Sequence, residues 1–269
     1  MEEDNEKLEF IQTKIWQEEA SADNPFIADR CLCSGYDVYG DLINKATWFE
    51  YVWLLFKLEK PEKWQVDLLE KIAIAIANPG IRDHSVRAAM NAGVGGSTSA
   101  SALMAALAVG AGQLNGAREI FIGMEWWHEC GTDLNKWEML INNPPKARRA
   151  SVWGDIEHVP GFDPHSSSCA KPVIQTMNVL SDIGSSEKLV WLSKNRESLE
   201  KIAKSPLSMT GVVSCAFDEL GLTGDQAEML YLLLRLPGAA AHALEQKQMG
   251  WKKYPFFGPA LKITNDPGN

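Results

Sequence analysis

The stretch Ser97 to Gln113, STSASALMAALAVGAGQ, decides how the chain reads. It is built almost entirely of small residues, and alanine is the best intrinsic helix former. A helix made of Ala, Ser and Gly lets neighbouring backbones approach closely, so the pattern places it in the interior or at a subunit contact. The preceding Gly93-Val94-Gly95-Gly96-Ser97 invites a phosphate-loop reading. That reading fails on its details, because there is no lysine, no glycine at Thr98 and no strand before it. It is a glycine-rich entry to a tightly packed helix.

Working outward, Trp48 to Leu58 is apolar all round, which predicts a buried helix. Pro61 opens a second one, as proline suits a first helical turn. Trp64, Leu68, Leu69, Ile72 and Ile76 form its single apolar stripe. Asn78-Pro79-Gly80 stops it. Downstream, Gln226 to Gln248 reads as a long helix with Pro237-Gly238 inside, and proline there predicts a kink. Few runs alternate with period two, so the expected fold class is all-α. From about Gly123 to Lys204 the chain turns polar and loop-rich, with helices predicted from Lys171 or Pro172 to Leu180 and from Ser185 to Ala203. The expectation is a large helical domain, 1–116 and 205–269, with a smaller domain, 117–204, inserted in it.

The composition bounds the function. With 45% hydrophobic and 23% charged residues in 269, disorder and a coiled coil are excluded. The net charge of −9 argues against nucleic acid as partner but not against a small anion held by a few cations in a cleft. Five scattered cysteines and an acidic start, Met1-Glu2-Glu3-Asp4-Asn5, point to a cytoplasmic protein with no disulfide framework. The apolar stretches Ala100–Gly112 and Met229–Leu244 are too short and broken to span a bilayer, so no membrane is expected. Cys31-x-Cys33 lacks a second ligand pair at zinc spacing, so no metal is expected.

Five histidines carry the remaining chemistry. His242 reads as a satisfied core residue, while His84 sits just past the Pro79-Gly80 break near the start of a new helix. His158 and His165 flank the rigid Val159-Pro160-Gly161-Phe162-Asp163-Pro164 loop. Histidines on a hinge cleft suit acid–base or oxyanion duty, with a structural role equally open. Trp126, Trp127 and Trp137 are read as packing residues rather than as platforms for an adenine or an acyl chain.

Several short motifs, in order, resemble the citrate synthase superfamily, including citryl-CoA lyases and the lyase module of ATP-citrate lyase. The resemblance runs from about Ser34 to Phe257. Gly35-Tyr36-Asp37-Val38 is similar to the family's R-G-Y opening, and Asp83-His84 matches its D-H motif. Gly112-Gln113-Leu114-Asn115-Gly116-Ala117-Arg118-Glu119 resembles G-P-L-H-G-G/A-x-E, and Val159–Phe162 resembles V-P-G-Y/F. Arg235-Leu236-Pro237-Gly238 with Ala241-His242-x-x-Glu245-Gln246 resembles R-x-x-G…A-H-x-x-E-Q. The resemblance implies an all-α, two-domain homodimer or higher homo-oligomer that closes on a coenzyme A thioester and a 2-oxo acid. It implies that His84 hydrogen-bonds the oxo acid, that Arg235 clamps a carboxylate, and that Val159, Pro160, Gly161 and Phe162 lie beside the CoA. Arg235, His84 and either His165 or Lys253 are expected to supply the local positive potential.

The departures matter equally. Asn115 stands where the family's synthases have histidine, and an amide can donate a hydrogen bond to an enolate but not a proton. Leu207, in Ser205-Pro206-Leu207-Ser208-Met209-Thr210-Gly211, stands where the synthases have their aspartate base. The segment after the V-P-G-F loop is shortened to Asp163-Pro164-His165, so His165 replaces either the family's histidine or its D-P-R arginine. Two functions follow. One is a citryl-CoA-type lyase that releases oxaloacetate or another 2-oxo acid from an acyl-CoA, with Asp163 or His165 as base and Asn115 on the enolate. The other is a non-catalytic partner that binds CoA or completes a hetero-oligomer with a paralogue.

Overall fold

A computed structural model describes residues 12–146, 152–184 and 186–255. The acidic N-terminus, Ser185 and Phe257 lie outside these residues. The chain divides into two compact units, Met1–Glu70 and Lys71–Asn269.

In the first unit a three-stranded antiparallel sheet precedes the helices: β1 (Trp16–Ala20), β2 (Ala28–Cys33) and β3 (Tyr36–Asp37), in that order. Its register pairs Trp16 with Cys33 and Leu32 with Asp37. The sequence reading of poor strand evidence passes over this sheet, because its strands are short and mostly exposed and offer no clean apolar alternation. Arg30 bridges the sheet's outer strands through Glu19 and Asp37, an exposed network of small energetic weight. A π-helical turn (Val38–Leu42) and the single turn α1 (Ile43–Lys45) lead to α2 (Trp48–Lys57). A capping box starts α2: Thr47 accepts from the Glu50 amide while the Glu50 side chain accepts from the Thr47 amide. Val52, Trp53 and Leu54 are buried, but Trp48 is largely exposed, so α2 is only partly the all-round buried helix that its sequence predicts. The next helix, α3 (Lys63–Ile76), buries Leu68, Leu69, Ile72 and Ile76 on one face, as the stripe requires.

Among the described residues the second unit contains α4 (His84–Val94), α5 (Ser99–Gly110), α6 (Ala117–Cys130), α7 (Leu134–Asn142), α8 (Lys171–Ser181), α9 (Glu187–Ala203), α10 (Met209–Glu219) and α11 (Gly224–Met249). The small-residue helix is α5, and its Ala102 and Ala106 are buried with Ala89 of α4 and Ala239 and Ala243 of α11. One face of α5 is therefore interior, while Met104 and Val109 on the other are exposed. The approach is close enough to require glycine, because a Cβ at Gly93 would stand 2.5 Å from the Ala243 carbonyl oxygen. The helix α11 continues through Pro237, and just past it the Gly238 amide donates to the Ala77 carbonyl at 2.8 Å. The loop-rich stretch contains more helix than its composition announces, since α6 runs to Cys130 and α7 follows it. Within it Trp127 meets Trp137 and Trp191 edge to face at 4.8 and 5.9 Å. Trp126, Trp127 and Trp137 are buried, so these rings pack the core. Among the described residues no helix is long and apolar enough to cross a membrane.

The Gly93 contact yields a test of this packing. Gly93→Ala is expected to lower stability by about 1–3 kcal/mol through overpacking. Gly154→Ala, which meets nothing within 4 Å, is expected to change it little. Urea unfolding of the two variants measures both.

Candidate functional site

Asp83 caps the first turn of α4, its Oδ1 accepting from the amides of Ser85 at 2.9 Å and Val86 at 3.3 Å. Its other oxygen is paired with the Arg235 Nη2; Arg235 is buried and Asp83 largely so. Arg235 lies in α11 with its guanidinium 4.8 Å from the Tyr231 ring centre. Arg235 Nη1 donates to the Asn115 carbonyl at 3.0 Å and to the Tyr231 hydroxyl at 3.1 Å. The Tyr231 hydroxyl donates in turn to the same Asn115 carbonyl at 3.2 Å. Burial pushes the Tyr231 phenol well up, so it is a hydroxyl donor at any working pH. Burial also pushes the Asp83 carboxyl up, but the Arg235 charge and the Ser85 and Val86 donors outweigh it and hold it below its ordinary value.

Asn115 sits just before α6 in a left-handed conformation, φ +54°, which asparagine tolerates better than most residues. Its amide donates at 2.6 Å to Glu119 Oε2. Glu119, in the first turn of α6, is 1% exposed and collects donors from three other segments. Its Oε1 accepts from the Gly161 amide at 2.8 Å and from the Thr210 hydroxyl at 2.9 Å, with His158 Nε2 3.5 Å away. A buried carboxylate is stable only when its lone pairs are met this fully.

The Val159–Phe162 loop is built onto the segment before α10. Gly161 donates to Glu119 and its carbonyl accepts from the Ser208 amide at 2.9 Å. Phe162 bridges antiparallel to Leu207, and the Asp163 amide donates to the Pro206 carbonyl at 2.8 Å. Glycine is required on both sides, since Gly161 has φ +85° and a Cβ on Gly211 would stand 2.4 Å from the Gly161 oxygen. Leu207 is 3% exposed, and an apolar cavity behind the loop is lined by Trp127, Trp137, Pro160, Phe162, Leu192 and Leu207 among others.

The structure thus joins Asn115, Arg235 and Gly161 through shared partners. His84 neighbours Asp83 in sequence but is exposed, and its Nδ1 accepts from Arg87 Nη2 at 3.0 Å. Arginine is always a donor, so the neutral His84 ring carries its proton on Nε2. Asp163 and His165 lie at the outer end of the loop: Asp163 Oδ1 accepts from the His165 amide at 2.9 Å and Oδ2 from the Ser166 hydroxyl at 2.5 Å. Among the described residues neither side chain bonds to Asn115, Arg235 or Glu119. His242 is satisfied by Asn78 Oδ1 at 3.1 Å and stands 3.6 Å from Glu245, on the rim of the core rather than inside it. Three groups of the cluster escape sequence reasoning as site residues: Glu119, Asp83 and Tyr231. The first carries a usable signal, an acidic residue among the apolar positions Ala117, Ile120, Gly123 and Met124 of one helix face. Among the described residues no group of His, Cys, Asp and Glu is arranged to hold a metal ion.

Comparison with solved structures agrees with this architecture. The chain is similar to citryl-CoA lyase from Hydrogenobacter thermophilus, with a TM-score of 0.72 and 17% identity over 97% of either chain. It is similar to ATP citrate lyase from Methanothrix soehngenii, solved with citrate and coenzyme A, with a TM-score of 0.70 and 17% identity over 94% of this chain and 41% of that one. Citrate synthase from Thermoplasma acidophilum, solved with carboxymethyl coenzyme A and oxaloacetate, gives 0.58 and 17% over 81% and 59%. No family model and no curated protein matches the sequence. The chain therefore has the all-α citrate-synthase-like fold. It spans nearly the whole of the Hydrogenobacter chain and less than half of the Methanothrix one.

The buried Asp83–Arg235 pair is testable by stability. Asp83→Asn leaves the guanidinium buried without its counter-charge, with an expected cost of about 3–5 kcal/mol at neutral pH. A carboxyl held below its unfolded value near about 3.9 contributes stability that is complete above that pH. That contribution disappears as pH falls through the folded-state value. Urea unfolding from pH 7 down to pH 3 is expected to show this acid loss in the wild type, and a weaker one in Asp83→Asn.

Proposed function

We propose that the chain is a carbon–carbon lyase of the citryl-CoA type, cleaving a 3-hydroxy-3-carboxyacyl-CoA to an acyl-CoA and a 2-oxo acid such as oxaloacetate. The Asn115 turn carries this reading. Its amide is held by Glu119 and its carbonyl by Arg235 and Tyr231, while its carboxamide has no hydrogen-bond partner among the described residues. A side chain on so fixed a backbone suits an enolate oxygen, where preorganised donors stabilise developing charge. Cleavage withdraws the hydroxyl proton, breaks the carbon–carbon bond and delivers its electron pair to the thioester carbonyl. The N–H groups of the Asn115 side-chain carboxamide meet that oxygen.

In this reading His84 donates its Nε2 proton to the oxo acid, and Arg235 binds a carboxylate that takes over the bond now made by Asp83. Residues 117–204 act as the CoA-side domain, with Val159, Pro160, Gly161 and Phe162 beside the thioester. Both Asp163 oxygens already accept bonds from their own loop, so we assign Asp163 to loop geometry and exposed His165 to carboxylate binding. The protein works as a soluble cytoplasmic homo-oligomer that needs no metal. Buried Leu207 in place of a base favours the second reading, a partner subunit that binds CoA without turnover.

A dehydrogenase-coupled assay on citryl-CoA and longer homologues decides between them. Release of a 2-oxo acid supports the lyase, and no product from any thioester overturns it. With turnover established, Asn115→Ala is expected to lower kcat about a hundredfold. His84→Ala is expected to lower kcat/KM at least about tenfold, or about 1.4 kcal/mol.

A further inference from the structure

We propose that His158 is the proton-transfer residue of this site and that Glu119 is the positioning residue that orients it. The inference rests on the lyase reading and fills its gap, since of the base positions named above Leu207 cannot serve and Asp163 is engaged in its own loop. The His158 side chain is 10% exposed, and its Nε2 is enclosed with no hydrogen-bond partner among the described residues. The polar atom it does face is Glu119 Oε1, at 3.5 Å. That carboxylate also holds the amides of Asn115 and Gly161, the residues assigned to the enolate and to the CoA. His158 therefore shares one anchor with both halves of the reacting thioester. It directly precedes Val159, so the loop that contacts the CoA carries it.

The chemistry follows from the pairing. A carboxylate only accepts, so Glu119 favours the tautomer with the proton on Nε2 and leaves the Nδ1 lone pair as the base. Tyr231 on α11 lies within the field of both Glu119 and Asp83, and its hydroxyl accepts from Arg235. Nδ1 takes the proton of the tertiary hydroxyl as the carbon–carbon bond breaks. The oxygen electrons form the keto group of the 2-oxo acid, and the bonding pair moves into the enolate held by Asn115. The imidazolium then returns the proton to the α-carbon, giving the acyl-CoA. One proton passes from oxygen to carbon and none is consumed.

The test uses the purified full-length protein in the same assay. His158→Gln is expected to lower kcat at least about a hundredfold with KM within about threefold. Added imidazole is expected to recover part of the lost rate in His158→Gly, which a purely structural role would not allow. Glu119→Gln is expected to cost at least about tenfold alone and under about threefold in the His158→Gln background, because it acts through His158. A folded His158→Gln enzyme with wild-type kcat overturns the proposal while the lyase reading stands. So do additive effects of the two substitutions without imidazole rescue. Should His158→Gln fail to fold, His158→Asn replaces it, and the same outcomes decide. A wild-type protein inactive on every thioester overturns the lyase reading itself, and this proposal with it.

Discussion

One buried carboxylate organises this molecule. Glu119 is nearly inaccessible to water, and a charge in that position must be compensated by donors brought to it. The Asn115 amide, the Gly161 amide and the Thr210 hydroxyl supply them, from the turn before α6, the Val159–Phe162 loop and the start of α10. Each of those segments thereby acquires a fixed position relative to the others. The Asp83–Arg235 pair repeats the device one layer away, tying the cap of α4 to α11 and, through the Asn115 carbonyl, to the Glu119 centre.

Around these polar centres the packing is governed by what is missing from side chains. Ala89, Ala102, Ala106, Ala239 and Ala243 let three helices approach, and Gly93 lies against the backbone of α11. The Gly161–Gly211 contact does the same for the loop. Close approach makes such contacts intolerant of added volume, and the site inherits that rigidity.

How far the sequence foretells this depends on what each signal measures. The α3 stripe and the small-residue helix were legible because periodicity and residue size report on burial, whereas the Trp48 helix was legible as a helix but not in how much of it is buried. The three-stranded sheet was not, since its strands are short and exposed and sheet pairing depends on partners rather than on local pattern. The helix α7 was hidden by the polar composition of its neighbours. Asn115, Arg235 and Gly161 were singled out by short motifs, and the fold does join them through shared partners. Glu119 lies in one of those motifs too, but its role is set by residues up to 91 positions away, which no local pattern encodes. The outward position of His84 and the self-contained turn of Asp163 are likewise tertiary facts.

Those separations have a consequence for how the site comes into being. Glu119 meets Gly161 across 42 positions and Thr210 across 91, and Asp83 meets Arg235 across 152. Helices close on local contacts quickly, whereas joining distant segments must first overcome loop-closure entropy. The helices can therefore close on local contacts alone, whereas the carboxylate centre needs the Gly161 and Thr210 segments brought to it. Far-ultraviolet circular dichroism can then report a nearly native molecule while Asn115 and the Gly161 loop are still unacquainted.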